Sequence, residues 1–320
     1  LDAPERWLGK SLEEIVNYRL NLVRGIQKTG IEETSGRFIE SLHELAMSSG
    51  TIDSEIKFLK NPAPLPSIDG QNAPFGPIGE IKSAKFSPNS SIKPIENAYY
   101  DTDLKSEDAV MKLYNSGIEI SKIQKCFSIG MFGKNRKLVP TKWSITATDQ
   151  IISNDLMHDI LEFDIIDRYN IFHFDHLGNL FSIVLFPHRW LFEMQEAWHD
   201  KNSIGFGSDH ETAKGINHPP SIAGAYFAGK LAVTEYLQKI KKQSGVMIFR
   251  EIQPEYAVPV GVWQVREGIR EAMKKHPQEA NSLNEAIDLA TKRMSISKNE
   301  WLVHGNMLKL VEQTSMSDFF

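Results

Sequence analysis

The sequence FDIIDRYNIFHFDHLGNLFSIVLF occupies residues 163–186 and contains two runs of aromatic and β-branched residues. These runs, residues 163–174 and 180–186, flank the turn-forming sequence Asp175-His176-Leu177-Gly178-Asn179. Apolar runs on either side of a short turn rich in Gly and Asn are typical of a β-hairpin. The pattern therefore predicts a pair of antiparallel strands near the middle of the chain.

Outward from this hairpin, helical and strand patterns follow one another without a regular alternation. The clearest helix start is the capping box of Ser11 and Glu14, which predicts a helix over residues 12–27. Further helices are predicted at residues 35–48, 106–115, 119–130, 150–161, 221–242, 264–275, 283–292 and 299–310. Further strands are predicted at residues 52–58, 143–148, 246–251 and 258–262. Such a mixed order indicates an α+β fold with a mixed or antiparallel central sheet surrounded by helices.

Residues 61–94 differ in composition from the rest, since they hold seven of the 15 prolines of the chain. We predict a long irregular segment that wraps over the core, because long loops in compact proteins are usually functional or flexible. The chain then divides into five segments. They are a helical segment (1–60), the proline-rich segment (61–100), a core segment (101–205), a C-terminal region (206–311) and a tail (312–320).

The composition is that of an ordinary globular protein, with 41% hydrophobic and 24% charged residues among 320. Because Cys126 is the single cysteine, a disulfide framework and a multi-cysteine zinc site within this sequence are excluded. No apolar run reaches the length of a bilayer, and residues 1–5 do not resemble a signal peptide. We therefore expect a cytoplasmic protein without a membrane partner. The net charge of −5 means that any DNA contact must come from local basic patches.

The last eight residues, QTSMSDFF at 313–320, fit the pattern of the sliding-clamp binding peptide known as the PIP box. When such a peptide forms one helical turn, Met316, Phe319 and Phe320 fall on one face and can fill an apolar groove. Gln313 supplies an amide for hydrogen bonds to the partner. The alternative is that the two terminal aromatic residues dock on their own domain.

The segment RKLVPTKWSITATD at residues 136–149 contains the best candidate for a nucleic-acid contact. This candidate is a cluster of basic residues beside a tryptophan: Lys134, Arg136, Lys137, Lys142 and Trp143. Cationic side chains can contact phosphates, and an indole can stack on a base. The alternative is a solvated basic turn followed by a buried strand tryptophan.

On the strand predicted over residues 143–148, Ser144, Thr146 and Thr148 would share one face that leads to Asp149. Hydroxyls and a carboxylate at a strand end suit a phosphate, a ribose or a metal ion. The alternative is that the hydroxyls bond to a neighbouring strand and that Asp149 caps the following helix.

Two further polar groups are candidates for a pocket. The first is a glycine-bearing loop with Asp209, His210, Glu211 and His218, whose residue types can bind a divalent metal or act as acid and base. The second is a predicted buried charge network. Networks of this kind occur in catalytic clefts and also in purely structural cores. Its members are Tyr226, Lys230, Glu235, Arg250, Glu251, Arg266 and Glu267. No Walker loop, dinucleotide-binding glycine motif or nucleophile elbow is present.

RKLVPTKWSITATD resembles the signature of the archaeal Nre family of DNA repair proteins. Five other segments agree with that family; they are VNYRLNLVRG (16–25), ELAMSS (44–49), DTDL (101–104), SDHE (208–211) and PEYAVPVGVWQVRE (254–267). The resemblance implies a role in archaeal DNA damage repair, nucleoid association, DNA as a partner, and binding of the terminal peptide to the clamp PCNA. Members of the family carry an N-terminal four-cysteine zinc module. With Cys126 alone, zinc is expected only if such a module precedes Leu1, and no cofactor is predicted for this chain.

Three functions are therefore open from the sequence. The first is a clamp-recruited repair factor. The second is an enzyme acting on nucleic acid or nucleotides, with a pocket formed by the RKLVPTKWSITATD strand, residues 208–211 and Arg250-Glu251. The third is a non-enzymatic scaffold between the clamp and another repair protein.

Overall fold

The computed structural model describes residues 3–64, 74–87, 89–199, 203–216 and 218–317, with the side chains of 313–317 left out. The chain forms two compact units. The first unit comprises Leu1–Ile152 with Val258–Val260, and the second comprises Ser153–Ala257 with Gly261–Phe320. Helices and sheets of mixed direction occur together, which confirms the α+β class. Among the described helices, none combines the length and apolar character needed to cross a membrane.

The first unit combines short helices with a three-stranded sheet in the order β1-β3-β2. Strand β1 is parallel to β3 and β2 is antiparallel to it. The strands are β1 (Arg24–Ile26), β2 (Asp53–Phe58) and β3 (Ile78–Ser87). The helices are α1 (Leu12–Leu20), α2 (Arg37–Met47), α3 (Lys93–Tyr100), α4 (Ser106–Asn115) and α5 (Ile120–Ser128), and α6 (Thr141–Ile160) continues into the second unit in sequence. Cys126 is fully buried on α5, and this burial raises the pKa of its thiol to about 12.

Several sequence predictions hold in this unit and others are wrong. The capping box of Ser11 and Glu14 opens α1 as expected, but the helix ends at Leu20 and the chain enters β1. The partner of β1 is β3, a ten-residue strand inside the segment that was predicted to be irregular. Residues 65–73 and Pro88 of that segment lie outside the described residues.

The second unit is built on a six-stranded sheet in the order β7-β6-β8-β5-β4-β9. The predicted hairpin is confirmed as β4 and β5, while β6, β7 and β9 were not foreseen. The strands are β4 (Tyr169–His176), β5 (Asn179–Phe186), β6 (Leu191–His199), β7 (Ile204–Thr212), β8 (Gly245–Ile252) and β9 (Gln278–Ala280). All neighbouring pairs are antiparallel except β6 and β8, which run parallel. The turn between β4 and β5 places Leu177 and Gly178 at positive φ, as a two-residue hairpin of this type requires.

Helices cover both faces of this sheet. The helices are α7 (Ala223–Ile240), α8 (Trp263–Met273), α9 (Leu283–Thr291), α10 (Lys298–His304) and α11 (Met307–Ser317). Gly229 of α7 lies against Met194 and Ile248 on one face, where an added Cβ would come within 2.8 Å of the Met194 sulfur. On the other face, Met247 and Phe249 share a core cluster with Ile287 of α9, Trp301 of α10 and Met307 of α11. The sheet is therefore buried between two helical layers.

Two predictions in the second unit need correction. Residues 258–262, predicted as a strand, form no strand; Pro259 cannot donate to a ladder and Gly261 has a φ of +114°. The single helix predicted at 299–310 is two helices, α10 and α11, separated by Gly305 and Asn306. The other predicted helices agree with the structure to within a few residues at each end, apart from α1, described above, and α6, described below.

Candidate functional site

Glu211 is the acceptor at the centre of a buried network in the second unit. It lies on β7 and is 2% exposed, and Lys230 on α7 is 3% exposed. Lys230 Nζ is 2.7 Å from Glu211 Oε1 and 3.0 Å from Oε2, and it also donates to Asn154 Oδ1 at 2.9 Å. Trp190 Nε1 donates to Oε1 at 3.0 Å and the Tyr226 hydroxyl donates to Oε2 at 2.8 Å. Both carboxylate oxygens thus have two donors each, which is how a buried charge is stabilised.

This network fixes the protonation of Tyr226. Burial raises the pKa of the Tyr226 hydroxyl far above its ordinary value, and the neighbouring Glu211 carboxylate raises it further. The hydroxyl therefore stays protonated and acts as a hydrogen-bond donor at physiological pH.

Asp209 connects β7 to the start of α7. Its Oδ2 accepts hydrogen bonds from Ser221 Oγ at 3.0 Å and from the Ile222 backbone N–H at 2.8 Å. His218 Nε2 lies 3.5 Å from Asp209 Oδ1. A carboxylate at this position compensates the unsatisfied N–H groups and the dipole at the start of a helix. Asp209 therefore stabilises the first turn of α7.

The predicted glycine-bearing loop around residues 208–211 is wrong, because these residues belong to β7. Asp209 and Glu211 pair with Met194 and Phe192 on one face of the sheet, whereas His210 pairs with Glu193 and points to the other. Burial lowers the pKa of His210, and the nearby His218 lowers it further, while Asp209 raises it. The strand therefore separates the histidine from the two carboxylates.

Arg250 and Glu251 follow one another on β8 and so also point to opposite faces. Arg250 is held by Glu196 and, through Nε, by Asn179 Oδ1 at 2.9 Å. Glu251 is fully buried, with His199 Nε2 at 3.0 Å and the Ser295 backbone N–H at 3.0 Å. Serine, histidine and carboxylate meet here, but Ser295 Oγ and His199 Nε2 both contact the same oxygen, Glu251 Oε1. A relay would need the carboxylate on the second imidazole nitrogen, so this arrangement is not that of a nucleophilic triad.

Two remaining members of the predicted charge network, Glu235 and Glu267, both pair with Arg270, which was not among its members. Arg270 binds Glu235 through two nitrogens, at 2.7 and 2.6 Å, and Glu267 at 2.8 Å. Arg266 Nε lies 3.4 Å from Glu267 Oε1. The residues predicted as a single network in the second unit thus take four sets of partners, around Glu211, Arg250, Glu251 and Arg270.

In the first unit, the predicted strand over residues 143–148 is wrong, because these residues lie in α6. The hydroxyls of Ser144, Thr146 and Thr148 donate to the backbone carbonyls of Thr141, Lys142 and Ser144, at 2.9, 3.1 and 2.7 Å. They therefore do not form a polar strand face. Asp149 is buried, and its Oδ1 accepts a hydrogen bond from Gln124 Nε2 at 3.2 Å; it lies within α6 rather than at its N-terminus.

Trp143 is 71% exposed on the first turn of α6, next to the exposed Lys142. The expectation of a buried strand tryptophan is therefore wrong. Lys134 is also exposed, and Lys137 forms an exposed ion pair with Glu32 at 2.9 Å. Such a pair contributes little stability and leaves the lysine available for a phosphate.

Arg136 has a different role from its basic neighbours. Its guanidinium lies 4.9 Å from the centre of the Tyr99 ring and donates to the Tyr99 backbone carbonyl. The Tyr99 hydroxyl meets His43 Nδ1 at 3.2 Å, and burial lowers the pKa of His43. Arg136 thus stabilises the end of α3, where the neighbouring Tyr100 is 69% exposed.

The terminal peptide begins inside a helix. Gln313 and Met316 belong to α11, whereas Phe319 and Phe320 lie outside the described residues. Across the part of the chain that the structure describes, no group of three or more His, Cys, Asp or Glu side chains could hold a metal ion.

Sequence reasoning missed several partners at these positions. Glu196, Trp190 and Asn154 complete the networks of Arg250 and Glu211, and Glu193 holds the start of α11. Acidic residues inside an apolar strand pattern, as in LFEMQEAW at 191–198, were the available signal.

Comparison with known proteins places the chain in a class. Residues 1–204 match the family description "Archaeal Nre, N-terminal", and residues 211–319 match "Archaeal Nre, C-terminal". The protein belongs to the archaeal Nre family. No solved structure matches it significantly.

Among its relatives is the DNA repair protein NreB of Archaeoglobus fulgidus, 31% identical over 325 residues, which covers 99% of this chain and 83% of the relative. The DNA repair protein NreA of the same organism is 32% identical over 331 residues, covering 100% and 81%. The DNA repair protein NreA of Haloferax volcanii is 29% identical over 306 residues, covering 90% and 73%.

Proposed function

We propose that this protein is a DNA repair factor that the sliding clamp PCNA recruits through Gln313, Met316, Phe319 and Phe320. The observation that carries the proposal is the clamp-binding pattern at residues 313–320. The similarity to proteins named DNA repair proteins over nearly the whole chain supports the repair role. The protein would then act in the archaeal cytoplasm, at the nucleoid.

The chemistry of the peptide supports this partner. An amphipathic turn binds a groove by placing apolar side chains at three- and four-residue spacing. Residues 313–317 already have helical backbone in α11. Less conformational entropy is therefore lost on binding than for an unstructured tail.

Replacement of both Phe319 and Phe320 by Ala is expected to weaken clamp binding by at least about 30-fold, because buried aromatic anchors dominate such interfaces. The measurement is titration calorimetry of the full chain with an archaeal PCNA. Val303→Ala is the matched control, since Val303 is an apolar side chain that is 77% exposed on α10. Unchanged affinity in the double variant would exclude the clamp assignment.

We further propose that the surface formed by Lys134, Lys137, Lys142 and Trp143 contacts DNA. Trp143 can stack on an unpaired base, and the lysines can contact phosphates. The exposure of Trp143 supports this role, because stacking on a base requires an accessible ring face. The hydroxyls of Ser144 and Thr146 and the buried Asp149 are not included, since their partners lie within the unit.

Trp143→Ala is expected to weaken binding of single-stranded DNA by about five-fold or more without changing its salt dependence. Lys142→Ala is expected to weaken binding of all sequences and to reduce the salt slope by about one. Fluorescence anisotropy at several salt concentrations measures both effects. Lys105→Ala, at another exposed lysine of the same unit, is the control. Equal affinities for Trp143→Ala and wild type would remove the stacking role.

A further inference from the structure

Helix α11 begins on a buried carboxylate of the sheet. Glu193 lies on β6 and is fully buried. Its Oε1 accepts the backbone N–H of Asn306 at 2.5 Å, and its Oε2 accepts that of Met307 at 3.3 Å. These are the first N–H groups of the helix, which lack partners within the helix itself. A side chain of the sheet thus caps a helix that starts 114 residues later in the chain.

The surroundings of Glu193 are adapted to this contact. Gln195 Nε2 donates to Glu193 Oε2 at 3.0 Å. A Cβ at Gly305 would come within 2.5 Å of Gln195 Nε2 and 3.2 Å of Glu193 Oε2, so glycine permits the close approach of the backbone. Burial raises the pKa of Glu193, and the N–H groups of Asn306 and Met307 oppose this shift.

The first turns of α11 are part of the body of the second unit. Met307 belongs to the buried core cluster, and Leu308, Leu310 and Val311 pack against that cluster. The same helix continues without a break to Ser317 and includes positions 313 and 316 of the proposed clamp peptide. In an α-helix, position 316 lies about 180° around the axis from position 307. The proposed peptide thus begins on α11, the helix whose first turn is docked on the sheet.

We propose that Glu193 positions the clamp-binding peptide, because it fixes where α11 begins and hence the direction of the helix on which that peptide starts. This inference rests on the proposed clamp binding. It adds that full clamp affinity depends on a side chain of the sheet, Glu193 of β6. An isolated helix of this length is only marginally stable in water, because its first turn is costly to form. Glu193 and the docked first turn hold this costly turn in place before PCNA binds. The helix that leads into the peptide is therefore already formed in the free protein.

Glu193→Gln tests the proposal in the full chain. A glutamine retains one acceptor but presents an NH2 group toward one of the two N–H donors. Clamp affinity is expected to fall about five-fold, the usual effect of a lost helix cap. The melting temperature is not expected to fall, because the substitution also removes a buried carboxylate whose charge is unfavourable there. If Glu193 had only a structural role, Glu193→Gln would lower the melting temperature and leave the affinity of the folded protein for PCNA unchanged.

The matched control is Glu14→Gln, which makes the same change at the capping box of α1 in the first unit. It should leave clamp affinity unchanged. If Phe319→Ala/Phe320→Ala abolishes binding while Glu193→Gln leaves it intact, the positioning role is refuted and the clamp assignment stands. If the phenylalanine variant binds normally, the clamp assignment itself fails.

Hydrogen exchange of the wild-type chain keeps the test independent of how the variant folds. Amides 310–312, which can donate within α11 beginning with the bond from Leu310 to Asn306, are expected to be protected in the free chain and to gain little protection when PCNA is added. Exchange of these amides at unprotected rates in the free chain would overturn the proposal.

Discussion

Replacement of Lys230 by Met is expected to lower the free energy of unfolding of the second unit by about 3–5 kcal/mol. The substitution keeps the length and apolar stem of the side chain but removes the ammonium group that lies 2.7 Å from Glu211 Oε1. Glu211 is 2% exposed and would lose the counter-charge that Lys230 supplies. Breaking a buried pair costs more than the pair contributes, because the remaining ion stays desolvated.

Urea unfolding combined with hydrogen exchange at β7 and α7 measures this effect, since the two units need not unfold together. Lys239→Met is the control at an exposed lysine of the same helix. The double change Glu211→Gln/Lys230→Met is expected to recover most of the loss, because both charges are removed and the new amide oxygen can still accept from Trp190 or Tyr226. A double variant as unstable as the single one would mean that packing, rather than charge, is responsible.

Trp301→Ala is the second change with a large expected effect, a loss of about 3–5 kcal/mol in the free energy of unfolding of the second unit. Trp301 is fully buried on α10, with the rings of Phe249 and Phe206 at 5.4 and 5.8 Å in edge contacts. Truncation would leave a cavity between the sheet and the helices that cover it. Urea unfolding of the variant, read by hydrogen exchange at α10, provides the measurement.

Trp301→Phe separates packing from polarity. Within the described part of the chain, the Trp301 indole N–H has no hydrogen-bond partner. Phenylalanine therefore removes an unsatisfied donor and fills most of the space, so this variant should lose far less stability than Trp301→Ala. Equal losses in the two variants would show that the indole N–H has a partner in solution.

Elements with local signals could be predicted from the sequence. The hairpin of β4 and β5 is encoded by its turn, and α1 begins where Ser11 and Glu14 form a capping box. Helix α4 matches its predicted bounds because an acidic first turn and Gly117 mark its two ends. Each of these signals acts within a few residues, so no knowledge of the rest of the fold is needed.

Residues 143–148 show why other elements could not be predicted. Trp143, Ile145 and the threonines favour a strand, yet helix packing overrides this preference. The local signal that was missed is Pro140, whose carbonyl accepts the backbone N–H groups of Trp143 and Ser144 at the start of α6. Strand β6 was missed because Glu193, Gln195 and Glu196 look like surface residues, although all three are buried.

The same limit applies to the candidate sites. The residue types of Glu211, Lys230 and Tyr226 indicated buried polar chemistry, but their partners are set by the pairing of β7 with β6 and by the position of α7. The pattern at 313–320 is different, because all of its residues lie within eight positions of the sequence. The contact of Glu193 with the start of α11, on which its proposed positioning role rests, is visible only once β6 and α11 lie together.

The position of β8 has a consequence for synthesis of the chain. The hairpins β4–β5 and β6–β7 come first in sequence, yet β8 lies between them, antiparallel to β5 and parallel to β6. Until residue 252 has left the ribosome, β5 and β6 each present an unpaired apolar edge of the kind that promotes aggregation. Truncation before this strand is therefore expected to leave two separate hairpins with exposed apolar edges instead of one continuous six-stranded sheet.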